Sequence, residues 1–132
     1  MSLRVLASEP HVITVKGVYL KDSAGAWVKV IEPDRRVDFS KEEAVVVFFN
    51  NLGRVPAGDY TNFRVEFTGN DGIPKRLSAR EDFDGAVAVR KGSFIRVAFG
   101  LLLENGIRMQ QADMTVDADS RRFLPDTLTL EE

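Results

Sequence analysis

A chain of 132 residues with 44% hydrophobic and 29% charged side chains can bury a core without a disulfide or metal staple, and it reads as one folded domain spanning residues 1–132. Its 18 basic and 20 acidic side chains leave a formal charge of −2 and are spread along the whole length, which speaks against nucleic acid or an anionic membrane as partner, since both need a concentrated basic field. The absence of cysteine excludes disulfides, thiolate catalysis and thiolate zinc sites.

Taken in chain order, Met1-Ser2-Leu3-Arg4 leads into a short mixed segment without the charged start and apolar core of a signal peptide. The apolar runs at 44–49 and 99–103 are too short to span a bilayer. Residues 11–20 are rich in β-branched side chains and end at Lys21-Asp22-Ser23-Ala24-Gly25, a cluster of turn formers, so residues 26–31, with the sole tryptophan Trp27, are expected to pair back. Gly17 interrupts the alternation of the first strand, which predicts a bulge or a close backbone approach. Ser40 and Glu43 have the spacing of a helix capping box, yet the run at 44–50 that follows is β-branched and favours a strand suited to burial on both faces.

Pro56-Ala57-Gly58 is a turn that feeds Asp59 and Tyr60 into residues 62–67, where Phe63, Val65 and Phe67 alternate with Arg64 and Glu66. Asn70-Asp71-Gly72 and Asp84-Gly85 are further turn signals. Residues 93–103 place Ile95, Val97, Phe99, Leu101 and Leu103 on one face, and Glu104-Asn105-Gly106 then reverses the chain into a partner strand at 107–116. Short strands at this spacing predict an all-β fold, an antiparallel sandwich of two sheets with about 7–9 strands.

Several of these segments together resemble a known family. Ser8-Glu9-Pro10, Gly25-Ala26-Trp27-Val28, Val37-Asp38-Phe39, Val55-Pro56-Ala57-Gly58-Asp59-Tyr60-Thr61, Phe63-Arg64-Val65 and Phe123-Leu124-Pro125 occur in the order of a domain-of-unknown-function family of prokaryotic envelope lipoproteins. The Pro-Ala-Gly-Asp-Tyr turn also resembles turns of transthyretin-like and collagen-adhesin B-type sandwiches. The resemblance implies a prealbumin-like β-sandwich displayed outside the cytoplasm, in the cell envelope or secreted, with no catalytic residues to carry over. Glu9 stands where the family has alanine, and the acylated cysteine of a lipoprotein is absent.

Candidate sites are few. His11 is the lone histidine, which leaves a catalytic triad without a nucleophile motif and a nitrogen metal site short of ligands. Glu32 and Asp34 offer a carboxylate pair, but no sequence feature faces them across a cleft as glycoside hydrolysis requires. Asp82 and Asp84 are the candidate ligands for a hard cation such as calcium, although a solvated acidic turn accounts for the same residues. Asp113, Asp117 and Asp119 lie beside Arg121 and Arg122, a pattern of local charge pairing. Gly69-Asn70-Asp71-Gly72 lacks the lysine and helix of a phosphate loop.

Trp27, Tyr19 and Tyr60 are the candidate ligand-binding aromatics, because flat rings stack on the apolar faces of sugars. The competing reading places Trp27 in the core and has the Tyr60 hydroxyl anchor its turn. The expected function is a non-enzymatic, extracytoplasmic or cell-surface module for binding or adhesion to polysaccharide or protein, without a required cofactor. The rival is a structural subunit of a filament, tube or shell that self-associates through strand edges, helped by the strand-like termini at 3–7 and 127–130.

Overall fold

The computed structural model describes residues 12–31, 35–38, 45–69, 74–82, 85–102 and 108–125. His11, Glu32, Asp34, Ser40, Glu43, Asp84, the turns at 70–72 and 104–106 and both strand-like termini lie outside them. Among the described residues the chain forms ten strands and no helix: β1 (Val12–Asp22), β2 (Trp27–Ile31), β3 (Arg35–Asp38), β4 (Val45–Asn50), β5 (Gly58–Thr68), β6 (Pro74–Glu81), β7 (Val87–Val89), β8 (Phe94–Leu102), β9 (Arg108–Val116) and β10 (Asp119–Pro125). No helix among these residues is long and apolar enough to cross a membrane.

All pairings are antiparallel, and their hydrogen bonds run without a break in the order β2-β1-β5-β6-β10-β9-β8-β4. β3 extends β2 along the same edge of β1, pairing Val12–Val15 where β2 pairs Val18–Lys21. β7 likewise extends β6 along β5. The fold is thus all-β and antiparallel as expected, but the layers are halves of one curled sheet. They are joined where β6 meets β10 over three residue pairs, Ala79 to Glu81 against Pro125 to Phe123. Curling brings Phe63 of β5 within 5.9 Å of Phe99 on β8 and 5.7 Å of Phe123 on β10, ring centroid to centroid.

Alternation explains which side chains enter this core. Ile13, Val15, Val18 and Leu20 of β1, Phe63, Val65 and Phe67 of β5, and Ile95, Val97 and Phe99 of β8 are buried in the core, and the positions beside them are more exposed except at Gly17, Ala98 and Gly100. Each such burial contributes about 1.5–3 kcal/mol, which is what drives a chain without disulfides to close. In β1 the alternation breaks as Gly17 predicts: the register against β5 shifts between Val15 and Gly17. That shift buries both Val18 and Leu20, and it sends Tyr19 and Lys21 to the outer face.

The run at 45–50 is a strand, but the expectation that both its faces are buried does not hold. β4 ends the sheet path and pairs only with β8 among the described residues, so Phe48 remains 57% exposed and stacks on Phe94. The loop after β4 spans the gap to the other end of the path. Arg54 lies over the Phe49 ring at 5.2 Å and donates to the Val30 carbonyl of β2 at 3.5 Å.

Candidate functional site

The outer face of β2, β1, β5 and β6 assembles the most distinctive chemistry among the described residues. Cross-strand pairing sets Lys29 opposite Tyr19 and Trp27 opposite Lys21 on one side of β1. On its other side Gly17, Tyr19 and Lys21 face Glu66, Arg64 and Asn62. β6 continues the rows with Arg76, Ser78 and Arg80 opposite Glu66, Arg64 and Asn62. Trp27 reaches this face because the hairpin before it is tightly built: Asp22 Oδ1 accepts from the amides of Ala24 and Ala26, at 3.0 and 2.9 Å, and Gly25 turns with φ of 90°.

Arg64 occupies the centre. Its guanidinium lies 4.3 Å from the Trp27 ring centroid and 5.0 Å from that of Tyr19, and Lys21 Nζ stands 5.7 Å over the Trp27 ring. Contacts of this kind contribute about 0.5–2 kcal/mol each, more as water is excluded. Arg64 Nε is buried without a hydrogen-bond partner among the described residues, so stacking and the nearby Glu66 carboxylate, at 3.8 Å, hold the group. Glu66 also pairs with Arg76 Nε at 2.7 Å and with the Tyr19 hydroxyl. Burial, followed by that hydrogen bond and the Glu66 charge, raises the Tyr19 pKa above the ordinary phenol value.

Gly17 leaves room for this packing. A Cβ there would stand 3.0 Å from both Tyr19 Cε1 and Lys29 Cε, so the tyrosine ring lies across a position where any side chain would intrude.

Of the three aromatics expected to bind ligand, the fold brings Tyr19 and Trp27 together and separates Tyr60 from them. Tyr60 is 1% exposed, and its hydroxyl donates to the Pro56 carbonyl, anchoring the turn from the core side. A ligand-facing role for Tyr60 is therefore withdrawn, because no ring face reaches solvent. Its pKa is raised by burial and then by Asp22.

Asp82 lies just after β6, where its amide donates to the Arg122 carbonyl at 2.8 Å; Asp84, its expected partner for calcium, lies outside the described residues. Among the described residues no three histidine, cysteine, aspartate or glutamate side chains converge as metal ligands would. Of the aspartates in the β9–β10 hairpin, Asp119 pairs with its neighbour Arg121 as the local pattern suggests, whereas Asp113 and Asp117 meet arginines distant in sequence. Asp113 bonds Arg96 at 2.8 Å, Asp117 faces Arg90 at 3.8 Å, and Asp119 bonds Arg121.

Sequence reading missed two features. Arg64 looked like the solvent side of an alternating strand, and only its cross-strand pairing with Tyr19 reveals its place between two rings. Asn51 carried no signal beyond being polar after an apolar run. It is fully buried, with Nδ2 donating to the carbonyls of Val55 and Arg90 at 2.8 and 3.1 Å, and Oδ1 accepting from the amides of Val55 and Gly53 at 3.0 and 3.3 Å.

Compared with family models, curated proteins and solved structures, the chain matches none.

Proposed function

We propose that this chain is a non-enzymatic binding module that recognises a polysaccharide or protein ligand through the outer face of β2, β1, β5 and β6. The observation that carries this reading is the convergence of Tyr19 and Trp27 around Arg64 on a solvent-facing sheet surface. A sheet needs no such arrangement to fold. Half-exposed aromatics backed by cations combine apolar area, hydrogen-bond donors and limited side-chain freedom, the composition that recurs at binding surfaces. The resemblance to envelope lipoproteins supplies the accompanying proposal of an extracytoplasmic, cell-surface setting, in which such a face serves adhesion.

Trp27 is the only tryptophan, so its fluorescence reports on this face without labelling. Titration with a panel of glycans and envelope proteins is expected to shift or quench Trp27 emission saturably for at least one ligand. Trp27→Ala, scored by calorimetry with that ligand, is expected to weaken binding tenfold or more. Ligands that bind with no change in Trp27 emission would place recognition elsewhere on the molecule.

A second reading rests on β4. Its residues Val45–Asn50 carry no charge and no proline, and Phe48 and Phe94 stack at 6.0 Å on its exposed side. Sheet edges ordinarily carry lysine, proline or a bulge to prevent pairing between copies. A structural subunit that associates through this edge gains mass with concentration in sedimentation equilibrium, whereas a binding module remains monomeric.

A further inference from the structure

We infer that the ligand of this face is an anionic polysaccharide, recognised through its uronate carboxylates. The inference rests on the binding-module reading and narrows it. Lys21 and Lys29 from β1 and β2, Arg64 from β5, and Arg76 and Arg80 from β6 share outward positions of four adjacent strands. Glu66 is the carboxylate at the outward positions of the same cross-strand rows, and it is already engaged by Arg76 and Tyr19. Asp22, at the end of β1, is turned to the amides of its own hairpin. The face therefore carries an excess of positive charge on a chain whose formal charge is −2.

The arrangement of the rings decides between ligand chemistries. A neutral sugar stacks on bare indole, and so does a nucleic-acid base on an aromatic platform. Here the indole is covered by the Arg64 guanidinium at 4.3 Å, with Lys21 over the same ring system at 5.7 Å. What remains for a ligand is the exposed 16% of the Arg64 side chain, a cation backed by two rings with its Nε buried and Nη2 at 3.8 Å from Glu66. A guanidinium pairs with carboxylates by charge-assisted hydrogen bonds, and packing against the rings reduces the freedom it must lose on binding. Four strands at about 4.8 Å spacing make a face about 14 Å across. That width presents Lys29, Arg64 and Arg80 to several charged groups of one extended chain, as a polymer with a carboxylate on each ring supplies.

The test is calorimetric and fluorescence titration of the full chain with polygalacturonate, neutral dextran and a single-stranded oligothymidylate, each at low and at moderate sodium chloride. Polygalacturonate is expected to bind with a change in Trp27 emission, to weaken several-fold as salt rises, and to exceed both other polymers in affinity. Arg64→Gln is expected to lose tenfold or more. Arg80→Gln, at an exposed position, is expected to lose two- to fivefold. Equal binding of dextran overturns the anionic ligand while leaving the binding-module reading intact. Tighter binding of the oligonucleotide overturns the choice of polysaccharide. Binding of polygalacturonate unchanged in both variants overturns the assignment to this face, and failure to bind polygalacturonate overturns the inference, whatever other glycans or proteins the module takes.

Discussion

Replacing Asn51 with alanine tests the most concentrated polar contact among the described residues. The side chain makes four hydrogen bonds, two as donor and two as acceptor, and the residue is wholly buried. Each such bond contributes about 1 kcal/mol net, and a buried amide or carbonyl left unpaired costs about 1–3 kcal/mol. Val55 is 1% exposed, so its amide and carbonyl cannot turn to water when Asn51 is truncated, whereas the Gly53 amide sits in a more open loop. The expected loss is about 3–5 kcal/mol, a large share of the roughly 5–15 kcal/mol that holds a domain folded. Urea unfolding followed by circular dichroism measures it, provided the m-value is unchanged. Asn51→Asp separates hydrogen bonding from volume, because it keeps the acceptors while turning carboxylate oxygen toward the Val55 and Arg90 carbonyls. Burial and those carbonyls raise the pKa of that carboxyl above its unfolded value, so its deficit relative to wild type is expected to shrink as pH falls and to grow as pH rises. An alanine variant within 1 kcal/mol of wild type, or an aspartate variant equal to it at neutral pH, would refute this account of the loop.

Three further substitutions probe other parts of the fold. Gly17→Ala places a Cβ 3.0 Å from both the Tyr19 ring and Lys29 Cε, so these side chains must give by a few tenths of an ångström beside Arg64; Trp27 emission is expected to change, with stability altered by less than about 1 kcal/mol in urea unfolding. Tyr60→Phe removes the hydroxyl bonded to Pro56 and is expected to cost about 1 kcal/mol at neutral pH. The raised pKa of Tyr60 means the fold favours its neutral form, so wild-type stability, complete below the unfolded phenol value of about 10, declines as pH climbs beyond it, and thermal melts should show a shallower decline in the phenylalanine variant. Phe48→Lys puts a charge on the β4 edge, and any concentration-dependent mass seen by sedimentation is expected to vanish with it.

The strands with regular alternation were legible because one residue type faces one environment. Phe63, Val65 and Phe67 declared β5, and Ile95, Val97 and Phe99 declared β8. β6 and β10 were not visible, since PKRLSARE and DSRRFLP bury few apolar side chains, chiefly Leu77 and Ala79 in one and Phe123 in the other. Those two strands join the halves of the sheet, so missing them turns one curled sheet into two separate ones. β4 was read as doubly buried because an apolar run carries no mark of its position in a sheet. Its neighbours decide that, and it has one among the described residues.

The candidate site follows the same division. Residue type was enough to single out Tyr19 and Trp27, and Gly17 signalled the shift that turns Tyr19 outward. Charge, by contrast, looked evenly spread, and along the chain it is. Strand pairing converts that evenness into a field, because outward positions of β1, β2, β5 and β6 that are distant in sequence stand side by side in space. The ten strands carry 13 basic and 7 acidic side chains, so the strand framework is cationic although the chain as a whole is slightly acidic. A net charge near zero therefore excludes little about partners when the cations lie on strands that pair. The relevant quantity is the sign of each sheet face, and it becomes readable only once the register is known.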